Sequence, residues 1–188
     1  MKKDIIHLLA LTAILLWSSC CTNKVKPVIE PDKDIETRIE KILSGMTLEE
    51  KVGQMAQITI TVIQNNDKDG NPQWIPSMLD SVITKYKVGS ILNVINEQAQ
   101  TRKLTSDMIK ELQEKSMKEL GIPCLYGLDQ IHGASYIADA TLFPQEINVA
   151  ATFNREHAFN MGEVTAYESR ASLNPWSFCP TLDLGRDQ

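Results

Sequence analysis

The residues best placed to do chemistry lie in one run, Gly121-Ile122-Pro123-Cys124-Leu125-Tyr126-Gly127-Leu128-Asp129-Gln130-Ile131-His132-Gly133. Gly121 and Pro123 stop a helix, an apolar strand follows from Cys124 to Leu128, and the strand delivers Asp129 at its carboxyl end. In parallel α/β folds ligands bind at that end of the strands. A carboxylate there presents two charged acceptors, a pair that suits the vicinal hydroxyls of a sugar, because charge-assisted hydrogen bonds are the stronger ones. An Asp that merely caps its own Gly-bearing loop fits the same residues, so the spacing alone leaves both readings open. His132 reads as loop architecture. As a metal pair Asp129 and His132 lack partners, since His7 and His157 fall in the leader and on a helix. No metal and no cofactor is expected.

Helices and strands must alternate to hold such a strand end. Ile35, Ile39, Ile42 and Leu43 recur at helical spacing, with Gly45 as a stop. Thr47-Leu48-Glu49-Glu50 has the form of a capping box that opens a helix carrying Val52 and Met55. Ile58 to Ile63 reads as extended, Asn65 to Pro76 as a surface loop, Ser77 to Lys85 as a short helix and Lys87 to Val94 as a strand. Leu104, Met108, Leu112 and Leu120 mark a long amphipathic helix, and Asn154 caps another that runs to about Ser172. Trp176 to Pro180 is a last short strand, with Trp176 expected in the core. Strands separated by helices of this length pair in parallel, so the fold class is α/β. A barrel and an open doubly wound sheet both fit the alternation, and a closed barrel needs eight strands.

The ends and the composition narrow the context. Residues 1–20 form an export signal: Lys2 and Lys3, an apolar stretch from Ile5 to Trp17, then Ser18-Ser19-Cys20. The stretch is short of the ~20 apolar residues that span a bilayer. Cysteine at the cut suggests lipidation of Cys20, with Cys21 as a rival acceptor and Trp17 where a bacterial lipobox usually has Leu. Residues 21–33, with two prolines and three lysines between Thr22 and Lys33, read as a linker, leaving residues 34–188 as the folded part. Cys124 and Cys179 read as free thiols inside apolar runs. The 188 residues carry 24 acidic and 19 basic side chains, a net charge of −5 that argues against nucleic acid as a partner.

The residues from Gly121 onward resemble the amino-terminal barrel domain of glycoside hydrolase family 3, the β-glucosidases and related exo-acting enzymes. The matching stretches are Gly121-Ile122-Pro123 with Tyr126 to Gly133, Thr141-Leu142-Phe143-Pro144, Ala150-Ala151-Thr152-Phe153-Asn154, and Gly162-Glu163 through Glu168-Ser169-Arg170-Ala171. Met46 to Met55 resembles the family's opening helix, so the likeness runs from about Asp34 to Gln188.

The resemblance implies the amino-terminal part of a (β/α)8 barrel of TIM type, incomplete in this chain. It implies that Asp129 binds hydroxyls of the sugar at the cleavage subsite, and that Glu168 and Arg170 tie their helix to neighbouring elements. Phe143-Pro144 is expected to shape a turn. The activity implied is retaining hydrolysis of terminal non-reducing β-D-glucosyl residues, with an oligosaccharide or β-glucoside as partner. The location implied is the periplasm, with membrane contact through the lipid anchor only. Gln188 stands where the family continues from Arg186-Asp187 into a Pro, so no catalytic carboxylate is assigned within these residues. A glycan-binding lipoprotein without catalysis is the alternative.

Overall fold

The computed structural model describes residues 31–182. The chain divides into two compact units, Met1–Gly45 and Met46–Gln188. The described part of the first is helix α1 (Lys33–Gly45), opened by Asp32, whose carboxylate accepts from the backbone N–H groups of Asp34 and Ile35. Its apolar stripe of Ile35, Ile39, Ile42 and Leu43 is solvent-exposed.

The second unit opens with α2 (Leu48–Gln54). The capping box is complete: the Glu50 N–H donates to Thr47 Oγ1 at 3.2 Å, and the Thr47 N–H donates to Glu50 Oε2 at 3.0 Å. Strand β1 (Gln57–Thr59) is shorter than the alternating Thr and Ile suggest, because the chain closes into a 3-10 turn at Ile60–Val62. That turn puts Ile60 and Ile63, three residues apart, together in the core, and burial overrides strand propensity. The expected loop is instead a hairpin of β2 (Gln64–Asn66) and β3 (Pro72–Trp74). Its turn is organised by Asp67, whose carboxylate accepts from the N–H groups of Asp69 and Asn71 and stays below the usual carboxylate range because of the Asn71 bonds. A polar hairpin has no hydrophobic alternation to announce it.

Helix α3 (Pro76–Leu79) widens into a π turn over Asp80–Lys85. Strand β4 is only Ser90–Leu92, bracketed by left-handed backbone at Lys87 and Asn93. A 3-10 turn (Ile95–Glu97) and the two-residue β5 (Gln100–Thr101) lead into α4 (Arg102–Leu120). Thr101 caps this helix, and left-handed Gly121 ends it as expected. Strand β6 (Leu125–Leu128), β7 (Ile137–Ala138), α5 (Glu146–Ala150), α6 (Arg155–Ala171, capped by Asn154) and β8 (Trp176–Ser177) complete the unit.

The main sheet has the order β1-β4-β6-β8, every pair parallel. The strands follow one another in chain order with no reversal, and a doubly wound sheet needs a reversal at its switch point. The winding is therefore that of a TIM-type barrel, and the barrel is not closed among the described residues. Ile91 and Tyr126 project from the sheet into a core shared with Ile83 of the α3 region and with Ile109 and Leu112 of α4. Trp176 corrects one expectation. It is 38% exposed, since β8 is an edge strand among the described residues, and it packs its ring edge-on against Phe178 at 4.9 Å.

Candidate functional site

Asp129 follows the last residue of β6, so the strand carries it to the carboxyl end of the sheet. It is solvent-exposed, and among the described residues its carboxylate accepts no hydrogen bond and forms no ion pair. Its neighbours are the reverse. Tyr126, Leu128 and Gln130 are buried, and Gln130 Oε1 accepts from the Ser169 hydroxyl of α6 at 2.5 Å. The strand end is thus fastened on both sides of Asp129 while Asp129 itself stays exposed.

Two glycines shape the backbone on either side of Asp129. Gly127 has no side chain because the Phe178 ring lies there: a Cβ would come within 2.7 Å of its Cε1. The Phe178 N–H donates to the Leu128 carbonyl at 3.0 Å, which continues the β6–β8 pairing toward Asp129. Gly133 adopts φ +83°, and a Cβ would sit 2.9 Å from the Phe143 ring and closer still to the Thr141 carbonyl. The Phe143 N–H then donates to the His132 carbonyl at 2.8 Å. Only the backbone of His132 is used in this way, and its ring makes no hydrogen bond among the described residues. Glu168 closes the clamp from α6, accepting from the Thr141 N–H and hydroxyl, both at 2.9 Å. Arg170 is exposed and has no ion pair among the described residues.

Two cysteines flank this architecture as free thiols. Burial pushes the Cys124 thiol up to about 12, and burial with the Glu146 carboxylate at 3.1 Å pushes Cys179 up to about 11. Neither is a thiolate nucleophile near neutral pH. Cys179 lines an apolar cleft of about 400 Å³ between α5, α6 and β8, with Val149, Met161 and Thr165. Asp129 does not line it, and an apolar cleft offers few partners for sugar hydroxyls.

No group of three His, Cys, Asp or Glu that could hold a metal occurs among the described residues. None of their helices is long and apolar enough to cross a membrane. Cys20 lies outside the described residues, as do Asp183, Arg186 and Asp187.

One feature at the same end of the sheet escaped the sequence. A polar cleft lies at the ends of β1 and β4, lined by Thr59, Thr61, Asn93, Val94 and Glu97. Asn93 and Asn96, a residue type that tolerates left-handed backbone, were its one legible sign.

Comparison with known proteins agrees with this architecture. The chain is similar to the lysosomal beta glucosidase of Dictyostelium discoideum, 34% identical over 164 residues that are 80% of this chain and 19% of that protein. It is 26% identical to the periplasmic beta-glucosidase of Salmonella typhimurium, over 79% of this chain and 17% of the relative. It thus spans less than a fifth of either. Among solved structures, an exo-1,3/1,4-beta-glucanase from a Pseudoalteromonas species superposes with TM-score 0.68 and 30% identity, over 85% of this chain and 19% of that one. A beta-glucosidase from Listeria innocua, in complex with glucose, has TM-score 0.58 and 29% identity, over 81% of this chain and 20% of that one. Residues 47–188 match the glycosyl hydrolase family 3 N terminal domain, and the chain belongs to that family.

Proposed function

We propose that this chain forms the sugar-facing amino-terminal part of an exported β-glucosidase, and that Asp129 holds hydroxyls of the terminal, non-reducing glucosyl residue. The observation that carries the reading is an exposed carboxylate with no protein partner among the described residues, at the end of a parallel strand whose neighbours are buried and clamped. Such a group keeps both oxygens for a ligand. The relatives named as beta-glucosidases support the substrate class.

The reaction is retaining hydrolysis. A carboxylate attacks the anomeric carbon, a carboxylic acid protonates the leaving oxygen, and the two stand about 5–5.5 Å apart across the bond. Asp129 belongs to neither role. It orients the sugar. Cys20 anchors the protein through lipid in the periplasm, a location that the periplasmic relative supports.

The test is Asp129→Ala in the full-length gene product with an aryl β-glucoside as substrate. Losing charge-assisted bonds to substrate should lower kcat/KM by at least about tenfold, with the circular dichroism spectrum unchanged. Full activity in the variant would remove Asp129 from the sugar site.

A further inference from the structure

We infer that the cleft between the start of α4 and the last turns of α6 is a surface site for a β-linked glucan chain. The choice of sugar rests on the proposed substrate class, but the site owes nothing to Asp129, which does not line it. The cleft has a volume of about 420 Å³, enough for a hexose ring. Arg102 of α4 forms one wall, Tyr167 and Glu168 of α6 another, and the β7 segment from Ile137 to Ala140 lies between them. Among the described residues β7 pairs with β5 alone, in a two-stranded sheet apart from the main one.

The register of that small sheet sets the two charged walls side by side. Gln100 pairs with Ile137 and Thr101 with Ala138, so one further step along both strands brings Arg102 beside Asp139, with backbones about 4.8 Å apart. Both residues are held in place. Thr101 caps α4 by accepting from the Leu104 N–H, which fixes Arg102 in the first turn. Asp139 has φ of 70°, a left-handed conformation that Asp tolerates, in a turn where the Ala140 N–H donates to the Ile137 carbonyl at 3.2 Å. Thr141 donates to Glu168 from its N–H and its hydroxyl, both at 2.9 Å, and so ties the same turn to the helix that carries Tyr167. Arg102 and Asp139 are exposed and opposite in charge, yet they form no ion pair among the described residues.

This lining selects an uncharged, hydroxyl-rich ligand. Arg102 only donates and Asp139 only accepts, whereas each sugar hydroxyl does both, so a vicinal pair of hydroxyls can span the two. Glu168 adds no free acceptor pair, because Thr141 engages both of its oxygens. An anion would meet Asp139, and a cation would meet Arg102. Tyr167 supplies the apolar part. Its ring is 75% exposed, and a β-glucosyl ring, with its hydroxyls equatorial, presents two C–H faces that an aromatic ring can cover. Ala138, Ala140 and Ala171 keep larger side chains out of the cleft. An aromatic surface with a few placed polar groups is the general build of a small-molecule site. Arg102, Asp139 and Tyr167 all face solvent, so a chain can run on past the bound ring in both directions.

The experiment is native gel electrophoresis of the full-length protein through gels that contain either a soluble mixed-linkage β-glucan or dextran, an α-linked control. The β-glucan should retard the unaltered protein and dextran should not. Tyr167→Ala should raise the apparent Kd for β-glucan by about tenfold and Asp139→Asn by about threefold, whereas Tyr167→Phe keeps the ring and should bind as the unaltered protein does. All three should hydrolyse an aryl β-glucoside at the unaltered rate. Equal retardation of Tyr167→Ala and the unaltered protein, or equal retardation by dextran, would overturn the site. Asp129→Ala separates this inference from the earlier reading: it should impair the aryl substrate and leave retardation by β-glucan in place. Retardation lost in Asp129→Ala would assign the binding to Asp129 and overturn the cleft. Hydrolysis unimpaired in Asp129→Ala would sink the role of Asp129, while the cleft would still stand on the Tyr167 result.

Discussion

Gly53 allows a prediction whose sign reverses between sequence and structure. It sits inside α2, where replacing glycine by alanine in a helix interior ordinarily stabilises by about 0.5–1 kcal/mol. In the structure a Cβ at Gly53 would lie 2.7 Å from the Lys87 carbonyl oxygen and 2.9 Å from its carbon, with the Tyr86 carbonyl nearer still. All three are backbone atoms and cannot rotate away. The same contact includes the Gly89 N–H donating to the Gly53 carbonyl at 3.0 Å and Gln54 Nε2 donating to the Lys87 carbonyl at 2.8 Å. Overpacking costs about 1–3 kcal/mol, and the strained bonds add about 1 kcal/mol. Set against the helix gain, Gly53→Ala should destabilise by about 1–3 kcal/mol. Gly162, inside α6 with nothing within 4 Å of a Cβ, is the control, and Gly162→Ala should stabilise or be neutral. Urea denaturation of the two variants followed by circular dichroism measures both signs. A Gly53→Ala midpoint at or above that of the unaltered protein would refute the close approach of α2 to Tyr86–Gly89.

Three further perturbations test the strand end and the anchor. Tyr126→Phe removes the donor to the Asn93 carbonyl and should cost about 1–2 kcal/mol, read as a lowered denaturation midpoint; an unchanged midpoint would mean that the bond contributes nothing. Burial raises Cys124 from about 9 to about 12 and raises Tyr126 as well, so both fold as neutral groups. Their contribution is complete below pH 9 and is lost as pH rises through the folded values, so stability should fall from pH 9 toward 12, and Cys124→Ala should flatten that fall. Cys20→Ala should abolish labelling by radioactive fatty acid and release the protein from membranes, whereas persistent labelling would point to Cys21 or to another route.

The parts of the fold legible in the sequence were those set by local rules. Thr47 with Glu50, Gly121, and Asn154 each fix a helix boundary through a backbone group that only a few residue types can satisfy. Strand extents were not legible, because they depend on partners. Asn93 leaves the strand when the Tyr126 hydroxyl, 33 residues on, captures its carbonyl. Trp176 looks like core from its type, yet stands at an edge among the described residues, because what flanks β8 decides its exposure.

The position of Asp129 at the end of a strand was legible for a different reason. A strand end followed by a Gly-bearing loop is local, and so is the glycine at Gly133 that lets the loop pass under Thr141. What the sequence could not supply was the set of hydrogen bonds that fastens the backbone around Asp129. A capping Asp turns its oxygens onto nearby N–H groups, as Asp67 does with those of Asp69 and Asn71. Around Asp129 the bonds are made by others: Gln130 accepts from the Ser169 hydroxyl, Glu168 from the Thr141 N–H and the His132 carbonyl from the Phe143 N–H. Among the described residues the loop is therefore closed without a hydrogen bond to the Asp129 side chain, and that is the observation on which its proposed role rests.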